Sequence, residues 1–443
     1  LPYTDRGSAA TPSASKFGKI REMEESDKKV MEKTSGGKWS ILAFLCGIFV
    51  VYTIDRALLG ILAIPIQADT GISDVRFGLL SSAIFWTYAL CVPFAGLVGD
   101  RFDRRKVVAA AVVFWSVMTL LAGFANGFWS LLALASFAVV VPQTLYGPSA
   151  NALIASLHKE TRTIAMSLHQ AAYYTGWFLS GAAVALILSL FGTWRAAFFV
   201  FGGLGIVLGF LFRFFTRSAQ TAQTSQTHQT SHTFRKSFAA YFGCPSALLA
   251  ASGYVLLVFV GCGYGAWGPK FVAQKFGLSA GAAGAGVMFW HYAVAFGAVL
   301  ATGWVTDRMV GRFPRFRLAT QIVALVLAAP VLSLFAFGSA LVQVWTAAAI
   351  FGVLRGAFEA NQFTSVFDVV PAEFRASAIG FVNVIAGTIG ALAPVLLGAL
   401  SQKYGLRGLE VGFALLGAAL IVAAALMAFS ALVTFERDRI GGK

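Results

Sequence analysis

Two pairs of charged residues stand inside long apolar runs, where charge is expensive: Asp55 with Arg56, and Arg355 with Glu359. A charged side chain at mid-bilayer costs about 2.5 to 3.5 kcal/mol on insertion scales, so each calls for a partner or a purpose. A guanidinium stays charged when buried and offers a planar fork to a carboxylate or phosphate, while a carboxylate can take up or release a proton. Anion capture joined to proton exchange is the chemistry these four residues could perform. Arg56 is the first candidate for a substrate contact and Arg355 the second; the competing reading of Arg56 is a salt bridge to Asp55 or to another helix. Arg355 and Glu359 are four residues apart and share one helix face. They either neutralise each other as a structural pair, or Glu359 titrates and a substrate competing for Arg355 promotes its protonation. Asp55 points about 100° around the helix from Arg56 and reads equally as a proton site or a structural acceptor.

Polar and aromatic residues nearby extend this reading. Gln143 falls on one helical face with Gly147 and Asn151, with Tyr146 beside it; Gln362 continues the face of Arg355 and Glu359. With Tyr52, one turn before Arg56, and Tyr264, they complete a candidate substrate wall. His169, four residues before Tyr173, is read as a proton relay or as a hydrogen-bonded structural histidine.

The elements that position these residues follow from composition. The 443 residues are 58% hydrophobic and only 12% charged, against about a quarter charged in soluble domains. Apolar runs near the 20 residues needed to cross a bilayer recur six times between 40 and 214 and six times between 246 and 433. The expectation is an all-α integral membrane protein of twelve transmembrane helices in two six-helix bundles, at 39–215 and 244–434. A disordered tail at 1–38, a Thr-, Gln- and Ser-rich linker at 216–243 and a short tail at 435–443 are expected on the cytoplasmic side. With that orientation most of the 34 Lys and Arg fall in cytoplasmic segments, as the positive-inside rule requires. The net charge of +15 therefore belongs to loops beside a bilayer, and no nucleic-acid partner is expected. Cys46, Cys91, Cys244 and Cys262 show no metal-ligand spacing, and no metal or cofactor is expected. HExxH, GxSxG at a strand-to-helix turn and the Walker loop are absent, which argues against an enzyme and against an ATP-driven pump.

The two halves carry matching punctuation. Gly96-Leu-Val-Gly-Asp100-Arg101 closes the second span and Gly303-Trp-Val-Thr-Asp307-Arg308 closes the eighth. Glu160-Thr-Arg162 follows the fourth span and Glu373-Phe-Arg375 the tenth. With Asp103, Arg104, Arg105 and Lys106, the first motif resembles the signature of the major facilitator superfamily. The resemblance implies a pseudo-symmetric fold in which spans 1, 4, 7 and 10 line a central cavity, and alternating access by rocking of the two halves. It also implies a gating role for Asp100, Arg101, Arg104, Arg105, Asp307 and Arg308 as latches at the cytoplasmic mouth.

Within the superfamily, Tyr52-Thr-Ile-Asp55-Arg56, Asp74-Val-Arg-Phe-Gly78-Leu-Leu and Trp194-Arg195-Ala-Ala-Phe-Phe are similar to anion:cation symporters of the hexuronate and sialic-acid type. The Asp-Arg-Phe-Asp-Arg-Arg form of the signature looks more like Spinster transporters. The Gly-Pro pair of many drug exporters is missing from Tyr173-Tyr-Thr-Gly176-Trp177. The expected function is secondary active transport of a small organic anion, a sugar acid or other carboxylate, by proton symport. The proton gradient supplies the drive, Asp55, Glu359 and His169 are the proton-coupling candidates, and a monomer in the cell membrane is the expected unit. A Spinster-like transporter of lysolipids or amphiphiles is the alternative, and a drug exporter comes third.

Overall fold

The computed structural model describes residues 14–216 and 234–439, and every regular element among them is helical. Twelve helices are long and apolar enough to cross a membrane. Spans 1 to 6 are Gly37–Ile61, Asp74–Ala95, Arg104–Ala122, Phe128–Leu157, Arg162–Phe191 and Trp194–Phe215. Spans 7 to 12 are Pro245–Phe276, Ala280–Met309, Phe316–Phe337, Leu341–Phe367, Ser377–Tyr404 and Leu406–Asp438.

Side chains at the helix starts explain several boundaries. Ser73, Asp103, Thr193 and Ser279 cap spans 2, 3, 6 and 8 by accepting from backbone N–H groups of the first turn. Spans 5 and 7 both end on a glycine in the left-handed region, Gly192 and Gly277, where a Cβ would be strained. One expectation fails here. The first helix begins at Ala14, so residues 14–38, read as a disordered tail, continue it; Glu, Lys, Met and Arg are good helix formers and no proline interrupts them. Residues 1–13, most of the linker at 217–233, and 440–443 lie outside the described residues. Within the rest of the linker, Phe234–Phe242 is a short helix, and residues 435–438 of the expected second tail are helical too.

Packing repeats between the halves. Span 1 packs on 5, 2 on 4 and 3 on 6; span 7 packs on 11, 8 on 10 and 9 on 12. The halves meet mainly where span 5 lies on span 8 and span 2 lies on span 11, with spans 1 and 7 crossing between them. Six helices per half place both termini at one end of the bundle; the opposite end is called the far end below. There the halves approach backbone to backbone. A Cβ on Gly60 would stand 2.3 Å from the Gly265 carbonyl oxygen, and one on Gly181 would stand 2.4 Å from the Ala285 backbone.

These contacts make a prediction. Gly181→Val should force spans 5 and 8 apart at the far end, with overpacking costing about 1–3 kcal/mol. Thiol labelling of a cysteine placed at the far end should accelerate in that variant; an unchanged labelling rate would show that the seal does not depend on this crossing.

Candidate functional site

A cavity of about 510 Å³ lies between the halves, within the range of about 300–1,000 Å³ usual for small-molecule sites. Its walls come from spans 1, 2, 5, 7, 8, 10 and 11. Four of the residues read from the sequence line it: Arg56, Arg355, Glu359 and Gln362.

The two arginines differ in their surroundings. Arg355 is committed: its Nε donates to Glu359 Oε1 at 2.8 Å, and one terminal nitrogen lies 3.3 Å from both the Tyr292 hydroxyl and His291 Nε2. Glu359 Oε2 accepts from the Tyr174 hydroxyl of the other half at 2.7 Å. Arg56 keeps mainly aromatic company among the described residues. Its guanidinium carbon stands 4.8, 5.7 and 5.8 Å from the ring centres of Tyr88, Phe85 and Tyr52, and one terminal nitrogen is buried with no hydrogen-bond partner among the described residues. The salt bridge from Arg56 to Asp55 is absent. Asp55 turns towards span 3, where Thr119 donates to its Oδ2 at 3.4 Å, and it does not line the cavity.

Several expected wall residues are packing residues instead. Span 4 contributes nothing to the cavity lining, contrary to the expectation from the resemblance. Tyr146 is fully buried inside the first half, its hydroxyl donating to the Leu45 carbonyl at 2.7 Å and lying 2.9 Å from His169 Nε2. His169 stacks on Phe49 with ring centres 4.4 Å apart, so its polar edge is spent on Tyr146, away from the cavity. Gln143 is 1% exposed, and both side-chain polar atoms lack partners among the described residues. Tyr52 is buried between Phe49, Trp115 and Tyr146. Tyr264 is buried in the second half against His291, Phe335 and Phe351.

The sequence reading missed most of the aromatic walls: Tyr88, Tyr174, Trp177 and Tyr292 line the cavity beside Tyr173, which the sequence had paired with His169. It also missed the ionic lock at the far end. Lys270 of span 7, buried, donates to Asp74 Oδ1 of span 2 at 2.5 Å and to Gln67 Oε1 at 2.7 Å. Ser401 of span 11 donates to the other Asp74 oxygen at 2.5 Å, and the Val75 N–H donates to Gln402.

The expected latches sit at the terminus-bearing end, and none of those described reaches across the halves. Arg105 is buried and donates to the Thr216 carbonyl of its own half at 3.1 Å. Arg104 is half-buried; Asp307 and Arg308 are exposed, with Arg308 folded over the Trp304 ring. The side chains of Asp100 and Arg101 lie outside the described residues. The described cross-half hydrogen bonds all fall at mid-membrane or at the far end. Among the described residues, hydrogen bonds between the halves thus close the far end and leave the terminus-bearing end unbridged, as alternating access requires of one of a carrier's two states.

The Major Facilitator Superfamily profile matches residues 44–394. The chain belongs to this superfamily. Its relatives within the superfamily include both groups named by the sequence resemblance. It is 25% identical over 400 residues to the D-galactonate transporter of Escherichia coli O6:H1, covering 80% of this chain and 87% of that one. It is 25% identical over 236 residues to Protein spinster of Drosophila melanogaster, covering 53% of this chain and 39% of that protein. The chain thus aligns with less than half of the fly protein's length. The crystal structure of a bacterial homologue of the human lysosomal transporter Spinster, in an inward-facing and unoccupied conformation, superimposes with a TM-score of 0.78 at 22% identity. That likeness covers 92% of this chain and 99% of the other, and confirms the twelve-helix superfamily fold.

Proposed function

We propose that this superfamily transporter carries a small organic anion, a sugar acid or other carboxylate, inward by proton symport. The observation that carries the reading is the Arg56 guanidinium, which lines the cavity with a buried nitrogen unpaired and no carboxylate bound to it among the described residues. A substrate carboxylate supplies the missing partner. Glu359 then takes the coupling role. When it is protonated, its negative charge no longer faces the incoming anion, and Arg355 is released as a second cation for the substrate. Anion and proton therefore favour each other's binding, as linkage requires. The proton gradient is the drive, the terminus-bearing end is cytoplasmic by the distribution of Lys and Arg, and one chain in the cell membrane is the working unit. Asp55 and His169, turned into the first half, support its packing in this reading.

The test is acidification of a lumen-trapped pH dye in proteoliposomes, with D-galactonate as the first probe because a relative transports it. Anion-dependent acidification in the wild type, lost in Glu359→Gln, is expected. Anion-dependent acidification that survives in Glu359→Gln would remove Glu359 from the proton path. No proton movement with any carboxylate, together with movement of a fluorescent lysolipid, would instead favour the amphiphile reading, which the aromatic walls and the Spinster-like fold support.

A pH dependence follows. Protonation of Glu359 removes a repulsive charge, so in this scheme the carboxylate Kd should fall as pH is lowered. Calorimetry across a pH series should show that trend in the wild type and a flat profile in Glu359→Gln. A carboxylate that binds more tightly as pH rises would contradict the coupling scheme.

A further inference from the structure

The residues around Glu359 form a closed circuit between the halves that substrate capture alone does not require. It starts at Tyr174 of span 5, whose hydroxyl donates to Glu359 Oε2 at 2.7 Å. The other Glu359 oxygen accepts from Arg355 Nε at 2.8 Å, and Arg355 reaches the Tyr292 hydroxyl of span 8 at 3.3 Å. The Tyr292 ring then stacks on Trp177, with centres 4.9 Å apart and planes at 14°. Trp177 lies one turn beyond Tyr174, so the circuit returns to span 5 of the first half. Its hydrogen-bonded crossing is Tyr174 to Glu359, and Tyr174 is buried, with its ring 5.7 Å from Phe296 of span 8.

We propose that Tyr174 is a positioning residue that ties the ionisation of Glu359 to the relative placement of the two halves. The inference deepens the proton-coupling reading above and rests on it for Glu359 as the proton carrier. An ionised carboxylate accepts a charge-assisted hydrogen bond from the tyrosine hydroxyl, about twice as strong as a neutral one. Protonation removes that assistance and leaves the strap weak. The bond's short geometry belongs to the arrangement seen here, with the far end closed. Ionised Glu359 therefore holds this arrangement, and protonated Glu359 releases span 10 to move relative to span 5. A ligand or proton shifts such an equilibrium only through its different interaction with the two states, and the strap supplies that difference. Among the described residues, the other ionisable groups around Glu359 and its partner Arg355 are Tyr173 on span 5, Tyr254 and Cys262 on span 7, and His291 and Tyr292 on span 8, with Arg56 across the cavity.

The test needs no substrate. Spin labels are placed at Lys106→Cys and Arg312→Cys, both exposed positions at the terminus-bearing end of opposite halves, in a full-length chain whose four native cysteines are replaced by alanine. Distances are measured in nanodiscs over a pH series. In the parent, lowering pH should move the population towards shorter distances at this mouth, by about tenfold in the ratio of the two states, from the difference between a charge-assisted and a neutral bond. Tyr174→Phe removes only the hydroxyl and should flatten that dependence, with an unchanged melting temperature as the check on its fold. Glu359→Gln should remain at the low-pH distribution at every pH.

A pH response in Tyr174→Phe equal to the parent's would overturn the proposal. So would a parent that does not respond, or a response that survives Glu359→Gln, which would assign it to another group such as His291. Failure of anion-driven acidification with the Tyr174-dependent shift intact would reject the anion reading alone and leave the strap standing.

Discussion

Asp74→Ala should open the far end of the bundle. The substitution removes the carboxylate that joins Lys270 to Ser401 and leaves the ammonium with Gln67 and the Trp267 ring. The Lys270 and Asp74 side chains are 7% and 18% exposed. Removing one partner of such a buried pair typically costs about 3–5 kcal/mol, because the other charge stays desolvated. A conformation that wets Lys270 avoids that cost, so the ratio of far-end-open to far-end-closed molecules should rise about 100-fold or more. Neutralisation of the unpaired lysine would absorb part of the effect, which makes the lower figure the better target. The exposed pair of Asp69 with Arg195 lies within one half, and exposed pairs contribute about 0–1 kcal/mol. Asp69→Ala is therefore the control, and should leave the ratio within about threefold of wild type. Distances between spin labels on spans 2 and 11 at the far end report both variants. If Asp74→Ala stays as closed as Asp69→Ala, the glycine-mediated crossings alone hold the end shut and the ionic lock is dispensable.

That lock was not legible in the sequence, and the reason is general. Asp74 and Lys270 stand near the ends of apolar runs, where charge is ordinary, and 196 residues separate them. No spacing rule joins residues at that distance. The repeated Asp-Arg punctuation and the twelve apolar runs were legible because bilayer thickness fixes a helix length and the two halves repeat one pattern. Arg56, Arg355 and Glu359 could be placed at the cavity because a charge deep in an apolar run has few other uses, and Gln362 because it continues the face of the last two. The polar face of span 4 misled. Periodicity shows that Gln143, Gly147 and Asn151 share a face, but it does not show which neighbour the face meets. Tyr146 and His169 satisfy each other inside the first half. Most of the aromatic walls were missed for a related reason: Tyr88 and Tyr292 line the cavity while Tyr146 and Tyr264 are packed away from it, and nothing in the chain around each tyrosine separates the two fates.

Arg56→Ala should separate binding from stability. In the wild type the guanidinium is inside the protein, ringed by Tyr52, Phe85 and Tyr88, and has no carboxylate on it among the described residues. One of its terminal nitrogens is buried without a hydrogen-bond partner among the described residues, a desolvation cost that the surrounding ring faces offset only in part. Its removal leaves no acid stranded, because Asp55 faces Thr119 instead. The ligand-free variant should therefore melt at or above the wild-type temperature. Binding should move the other way. A hydrogen bond to a charged group contributes about 1.5–3 kcal/mol, so the Kd for a bound carboxylate should rise about 10- to 150-fold, while that for its neutral amide should change little. Arg56→Lys keeps the charge without the planar fork and should fall between the two. Arg355→Ala provides the contrast, since it strands Glu359 with only the Tyr174 hydroxyl and should lower the melting temperature. Calorimetry with the carboxylate and amide forms of one ligand, beside thermal melts of the four proteins, decides the matter. Equal losses for the charged and neutral ligands in Arg56→Ala would show that the guanidinium shapes the cavity without pairing with an anion, and the anion reading would fall with it.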